Sequence, residues 1–263
     1  MPPAMAIVVG KWKERFMCGR YAITLPDEAM RQIFATDNLI QSVPRYNIAP
    51  TQPVIAIWND EADRRAARLA RWGLVPHWVR DPREFPLLVN ARAESMAEKP
   101  AFRDSVKHKR CILPASGYYE WRTLPNGKKQ PYYITLATGE PMALAGLYSS
   151  WMGPDGEEID TLATITVPAG PDVAHIHHRM PALMIGDQID AWLDVRNVRF
   201  AEVEPFVVPQ PAGSMASHPV SVRVNSAVNE GSDLIEPVSE TLEAAEDKSM
   251  RVKGKNPDQF DLF

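Results

Sequence analysis

The chain has 263 residues, 45% hydrophobic and 24% charged, with a formal net charge of −4. This is the composition of a globular protein with ample core-forming capacity, and it excludes a fibrous or wholly disordered chain. The charge argues against whole-molecule attraction to nucleic acid, although a local basic groove remains compatible with it.

Two cysteines, Cys18 and Cys111, make no disulfide framework, and no apolar run reaches the length of a membrane span. Both features fit a reducing cytoplasm and no membrane partner. The 24 prolines disfavour long helices and favour extended segments joined by turns.

Residues 1–16, MPPAMAIVVGKWKERF, place their charges after the apolar stretch, unlike a secretory signal. They read as a leader or as a start placed too far upstream. Residues 25–36 predict a first helix, with Asp27 and Glu28 in its opening turn and Met30, Ile33 and Phe34 on one face. A Pro-punctuated loop leads into a strand over 45–58. Residues 68–78 alternate and then break at Pro76, and 94–110 are partly helical, interrupted at Pro100.

Residues 110–122 and 131–136 are β-rich, and Asn126-Gly127 between them signals a hairpin turn. Further strands are predicted over 142–151 and 161–168, a short amphipathic helix over 187–194, and a closing apolar segment over 218–237. Strands outnumber helices and follow one another without regular βαβ alternation. The expected fold is therefore α+β: one compact domain over 17–237, with a curved, mostly antiparallel, β-barrel-like sheet and flanking short helices. Residues 238–263 have the composition of a disordered tail.

Cys18 follows Met17 directly, and an initiator methionine is normally trimmed before a small residue. As first residue, Cys18 would offer an α-amine and a thiol on adjacent carbons. The amine has an ordinary pKa of about 7.7–8.0, so a useful fraction is neutral near pH 7. It can attack an aldehyde to give an imine, which the thiol can close to a five-membered thiazolidine.

The segments MCGRYA, RYNIAPTQ, RWGLVPHW, NARAES, CILPASGYYEW and IHHRMPAL occur here in one order. Together they resemble the SOS-response-associated peptidase family, the abasic-site processing proteins, from about Met17 to Pro237. The resemblance implies a compact α+β domain that recognises abasic sites in single-stranded DNA. It also implies crosslinking of the N-terminal cysteine to the ring-opened sugar, and processing of the protein's own N-terminus.

The resemblance implies Cys18, Asn90, Glu120 and His177 as the catalytic set. On the residues alone, Asn90 suits a turn or cap, and Glu120 suits the solvent face of an amphipathic strand. The family pattern instead gives Asn90 the positioning of the cysteine and the sugar. It gives Glu120 proton delivery to the sugar ring oxygen, its pKa raised by apolar walls. It gives His177 acid–base help in ring opening and imine steps. His178 stands where the family often has aspartate. His175, His177 and His178 lack a ligand set with recognisable zinc spacing, so neither metal nor cofactor is expected.

A single-stranded DNA surface combines cations with flat side chains. Arg20, Arg45, Arg92, Arg103 and Lys107 are the phosphate candidates, Trp72 and Trp78 the stacking candidates, with core packing the alternative for at least one of the two, and Thr166 is expected to reach the same pocket. Cys111 reads as structural. The last five residues, QFDLF, resemble the peptide by which bacterial proteins dock on the DNA sliding clamp, through Gln259, Asp261, Leu262 and Phe263. The expected protein is a monomeric, nucleoid-associated crosslinker with self-cleaving and weak strand-cleaving activity. The alternatives are a general thiol peptidase and a non-catalytic single-strand binder.

Overall fold

The computed structural model describes residues 18–38, 40–239 and 241–242. The expected leader and the clamp-type peptide lie outside these described residues, as does most of the expected tail.

The chain begins with β1 (Tyr21–Ile23), α1 (Asp27–Ile33), β2 (Arg45–Ile48), β3 (Pro53–Asn59) and β4 (Arg65–Trp72). It continues through β5 (Asn90–Arg92), α2 (Ala93–Met96), α3 (Arg103–His108), β6 (Arg110–Ala115) and β7 (Gly117–Thr123). Then come β8 (Lys129–Leu136), β9 (Met142–Met152), β10 (Glu158–Pro168), β11 (Arg179–Pro181), α4 (Gln188–Leu193), α5 (Phe200–Val203) and β12 (Met215–Pro219). The first helix is shorter than its amphipathic pattern, because Pro26 caps its start and Ala35 turns left-handed, at φ 49°, just after its end. Pro100 separates α2 from α3 as expected.

β10 organises the domain. Thr164 pairs with Asn90 of β5 on one edge and with Gly146 of β9 on the other. β4 shares the first edge with β5, both parallel to β10, while β9 and β11 are antiparallel to it. The pairings β4–β3, β3–β6 and β6–β9 complete the circuit, so five strands close into a barrel. Closure leaves those five strands without a bare edge.

A second, antiparallel sheet runs in the order β12-β8-β7-β1-β2. The β7–β8 hairpin turns at Asn126-Gly127, where Gly127 takes φ 80°, a conformation only glycine adopts without strain. Alternation along this hairpin sorts two cores. Tyr118 and Ile134 enter the main core, while Tyr119 and Tyr133 pack with Val220, Val224 and Leu234 on the opposite face. The 218–237 segment thus closes the domain, with Val220 bridged to Pro237. Cys111 is fully buried inside the barrel wall, as a structural residue should be.

No helix among the described residues is long and apolar enough to cross a membrane.

A candidate active site around Cys18

Cys18 immediately precedes the β1 region, and β1 lies beside β7. Tyr119 N–H donates to the Arg20 carbonyl at 3.0 Å, which draws the start of the described chain along β7 toward Glu120. The Cys18 backbone nitrogen donates to Glu120 Oε1 at 2.7 Å. The Cys18 thiol hydrogen-bonds the same carboxyl group. Cys18 is 4% exposed, Glu120 3%. Cys18 also carries a left-handed backbone, φ 47°, which is costly for a residue with a β-carbon.

Burial pushes the Glu120 carboxyl up to about 7, against the opposing pull of hydrogen bonds from Cys18 and Trp121 and the charge of Lys129. Burial also raises the Cys18 thiol, Glu120 adds to the rise, and the Arg179 cation opposes it. Glu120 is therefore poised to hold or release a proton near neutrality, while the thiol keeps its own proton.

His177 places Nδ1 3.7 Å from Glu120 Oε1. The same Nδ1 meets the Arg179 backbone, at 3.2 Å from its N–H and 3.3 Å from its carbonyl oxygen, so the tautomer of the neutral ring decides whether it accepts or donates there. Burial, the main cause, holds His177 below the usual imidazole range, and the charges of His178, Lys129 and Arg179 push the same way. Among the described residues, no group of three or more His, Cys, Asp or Glu side chains is placed to hold a metal ion.

Asn90 opens β5 and is half-buried; Ala91 points into the core and Arg92 is exposed, the alternation expected of an extended NAR segment. Beyond it, β10 and β11 hold an arginine that the sequence offers only as a landmark two residues after His177. Arg179 Nη1 and Nη2 donate to the Glu94 carboxylate at 2.5 and 3.0 Å. Nη2 also donates to the Thr166 carbonyl, and to Thr166 Oγ1 at 3.2 Å. Arg179 is 8% exposed, so this is a nearly buried cation whose field reaches the Cys18 thiol. A lone Arg after two histidines gives no sign of this, because its partner Glu94 lies 85 residues away.

Residues 17–227 match the SOS response associated peptidase (SRAP) family. The chain belongs to that family. It is 35% identical over 223 residues to the abasic site processing protein YoqW of Bacillus subtilis (strain 168), covering 84% of this chain and 99% of that protein. It is 34% identical over 226 residues to the abasic site processing protein HMCES of Gallus gallus, covering 74% of this chain and 66% of that protein. The crystal structure of a Bacteroides thetaiotaomicron protein shares the fold, with a TM-score of 0.73 over 84% of this chain and all of that one, at 24% identity.

In this SRAP-family chain the expected DNA-contacting residues separate into surface and scaffold. Trp78 is 51% exposed, meets Phe85 edge-to-face with ring centres 5.7 Å apart, and shares a cleft with His77, Pro100, Arg103 and Asp104. Its loop is held rigidly: Val75 N–H donates to Thr161 Oγ1 at 2.9 Å, and Trp151 Nε1 donates to the Val79 carbonyl at 2.6 Å. Arg92, Arg103 and Lys107 are exposed.

Trp72 is corrected from a stacking residue to a core residue. It is 1% exposed, packs edge-to-face on Tyr21, and its Nε1 donates to the Val89 carbonyl, leaving no ring face for a base. Arg20 is likewise turned inward, donating to Asn47 Oδ1 and to the Val224 and Asn225 carbonyls. Arg45 ties down its own turn through the Pro53 carbonyl and Gln52 Oε1. Thr166 is fully buried, and its hydroxyl oxygen accepts from Arg179 Nη2.

Proposed function

We propose that this protein recognises abasic sites in single-stranded DNA and bonds covalently to the ring-opened sugar through Cys18. The observation that carries this reading is the 2.7 Å contact between the Cys18 nitrogen and Glu120. It sets the prospective nucleophile against a buried acid–base group whose pKa, about 7, matches the task. The abasic-site processing described by the names of the YoqW and HMCES relatives supports it.

The scheme requires Cys18 to be the first residue. The neutral α-amine attacks the C1′ aldehyde carbon, and the carbonyl oxygen takes a proton. Protonated Glu120, with neutral His177 beside it, supplies the proton that lets this oxygen leave as water, and the nitrogen's remaining proton returns to the Glu120 carboxylate, giving a neutral imine. The thiol sulfur then attacks the imine carbon while its proton passes to the imine nitrogen, closing the thiazolidine. One aldehyde and one aminothiol give one ring and one water, with no oxidant or reductant. Asn90 orients the reactants, Arg92 and Arg103 meet phosphates, and Trp78 stacks at the lesion.

With Met17 still attached, the same Glu120 carboxyl lies on the nitrogen of the Met17–Cys18 amide. Water adding to the Met17 carbonyl carbon, with Glu120 protonating the departing Cys18 nitrogen, would give the Met17 carboxylate and the free Cys18 amine, which is the basis for self-processing. An imine that fails to close permits β-elimination, hence weak strand cleavage. The protein acts as a monomer in the cytoplasm near the nucleoid, and the QFDLF peptide docks it on the sliding clamp.

The test is a denaturing gel with single-stranded DNA carrying one abasic site. Protein beginning at Cys18 gives a DNA-linked band, and Cys18→Ala gives none. Cys18→Ser, which keeps the amine, gives strand cleavage without a stable band. Salt-sensitive binding unaffected by Cys18→Ala, with no linked band from either protein, would identify a non-covalent binder. Turnover of peptides in trans would identify a thiol peptidase.

A further inference from the structure

In the scheme above Asn90 orients the reactants, so its side chain must itself be aimed. A side-chain amide presents a donor at one end and an acceptor at the other, and a half-turn exchanges them. A residue that orients a reacting sugar has to be held in one of the two states.

We infer that Thr164 is the positioning residue for Asn90, its hydroxyl holding the amide oxygen against β10 so that the NH2 group is the end presented to the reaction. Thr164 Oγ1 donates to Asn90 Oδ1 at 2.5 Å. The same hydroxyl also meets the Val89 carbonyl, at a long 3.4 Å. The shorter contact decides where the proton goes. If the amide turned over, its NH2 group would donate to the hydroxyl oxygen, and the buried hydroxyl proton would be left with only the long contact to the Val89 carbonyl.

Thr164 is itself immobile. It is 2% exposed, between Ala163 and Ile165 at 0%, and its backbone N–H donates to the Val89 carbonyl at 3.0 Å. It sits directly opposite Asn90 in the parallel β5–β10 pair. Its β-branch restricts χ1, so the hydroxyl direction follows from the backbone. The Val89 carbonyl also accepts from Trp72 Nε1, which pins the residue before Asn90 from the other side. A threonine between the buried apolar residues Ala163 and Ile165 is explained by this one bond, since a buried hydroxyl without a partner is costly.

This inference rests on the abasic-site reading for what Asn90 does, but not for how it is held. The test therefore has two readouts, on Thr164→Val, Thr164→Ser and Asn90→Ala. The first is the single-turnover rate of crosslinking to an abasic oligonucleotide, beside the affinity for an oligonucleotide with an unreactive tetrahydrofuran site. The second is the side-chain amide 15N–1H pair of Asn90, assigned by its loss in Asn90→Ala.

Thr164→Val is expected to slow crosslinking about three- to tenfold, the loss of one net hydrogen bond, with affinity unchanged. Thr164→Ser restores the rate. Thr164→Val makes no further difference in Asn90→Ala. The Asn90 amide pair shifts in Thr164→Val and returns in Thr164→Ser. An unmoved pair overturns the inference whether or not the protein crosslinks, as does an equal slowing by Thr164→Val in Asn90→Ala. A pair that moves in a protein that never crosslinks leaves the positioning intact and removes the abasic-site reading instead. Should Thr164→Val fail to fold, Thr164→Cys, similar in shape and a poor donor, takes its place in both readouts.

Discussion

The Cys18 backbone nitrogen donates to Glu120 Oε1 at 2.7 Å, and both residues are almost wholly buried. One carboxyl group thus touches the atom that a chain beginning at Cys18 would use as its amine. It also accepts from the thiol beside it. The two proposed nucleophiles and their proposed proton carrier are brought together by a single register, that of β1 beside β7.

The burial of Glu120 has a pH signature in the full-length chain, where the Cys18 nitrogen is an amide. Folding raises the carboxyl from an ordinary value of about 4.3 to about 7. Between those values the folded state holds a proton that the unfolded state has released, so stability falls as pH rises through this window and is fully present below it. The fall is bounded at about 3–4 kcal/mol, taking roughly 1.36 kcal/mol per unit. Glu120→Gln removes the titration. Urea melts should show the variant gaining on the parent between pH 5 and pH 8; parallel curves would contradict a carboxyl displaced by burial.

Arg179 is the cation that opposes the rise in the Cys18 thiol pKa. Replacing it by methionine keeps much of the packing and removes the charge. Alkylation of Cys18 by iodoacetamide at pH 8 should then slow, by up to about tenfold if the thiol moves one unit. Cys111, fully buried in the barrel wall, should contribute little to the signal in the native state. Unchanged or faster alkylation would show that the Arg179 field does not reach the sulfur.

Trp72 and Trp78 predict opposite consequences. Trp72→Ala opens the core beneath Tyr21 and should cost about 3–5 kcal/mol in a denaturant melt. Trp78→Ala should leave the melt nearly unchanged and weaken single-strand binding by about 1–3 kcal/mol, the worth of one stacked base, read by fluorescence anisotropy. A Trp78→Ala protein that binds normally would take the cleft beside Arg103 out of the DNA path.

Gly146 is a packing requirement of the barrel. A β-carbon there would lie 2.7 Å from Leu113 Cδ1, 2.9 Å from Cys111 Sγ and 3.3 Å from the Ala163 carbonyl oxygen. Leu113 and Cys111 are both fully buried, so neither can swing away freely. Gly146→Ala should destabilise by about 1–3 kcal/mol through overpacking, seen as a lower urea midpoint with unchanged slope. A neutral result would mean that the β6–β9 wall is softer than its packing indicates.

Local features of the fold were legible where local chemistry decides them. Asn126-Gly127 announces its hairpin because a positive φ is needed there, and Pro100 divides α2 from α3 because it cannot continue a helix. Closure of the barrel was not legible, since β10 pairs with strands 70 to 90 residues earlier as well as with its neighbour β9. Nor could periodicity separate Trp72 from Trp78, which stand in one short motif and differ only in which element covers them. Within the site, Glu120 shows the same division. Its strand alternation fits a solvent face, but the start of the described chain lies over it and makes it buried. Thr164 and Arg179 take their meaning from Asn90 and Glu94 across strand and helix boundaries, and no spacing along the chain encodes that.

The left-handed backbone at Cys18, φ 47°, carries a last consequence. That torsion exists only while a carbonyl carbon stands before the nitrogen. In a chain that starts at Cys18 the fourth atom is gone, and the twist, worth about 1–2 kcal/mol, disappears with it. In the proposed trimming at this bond, that twist would be let go as the terminus is bared, and rejoining the ends would have to wind it again.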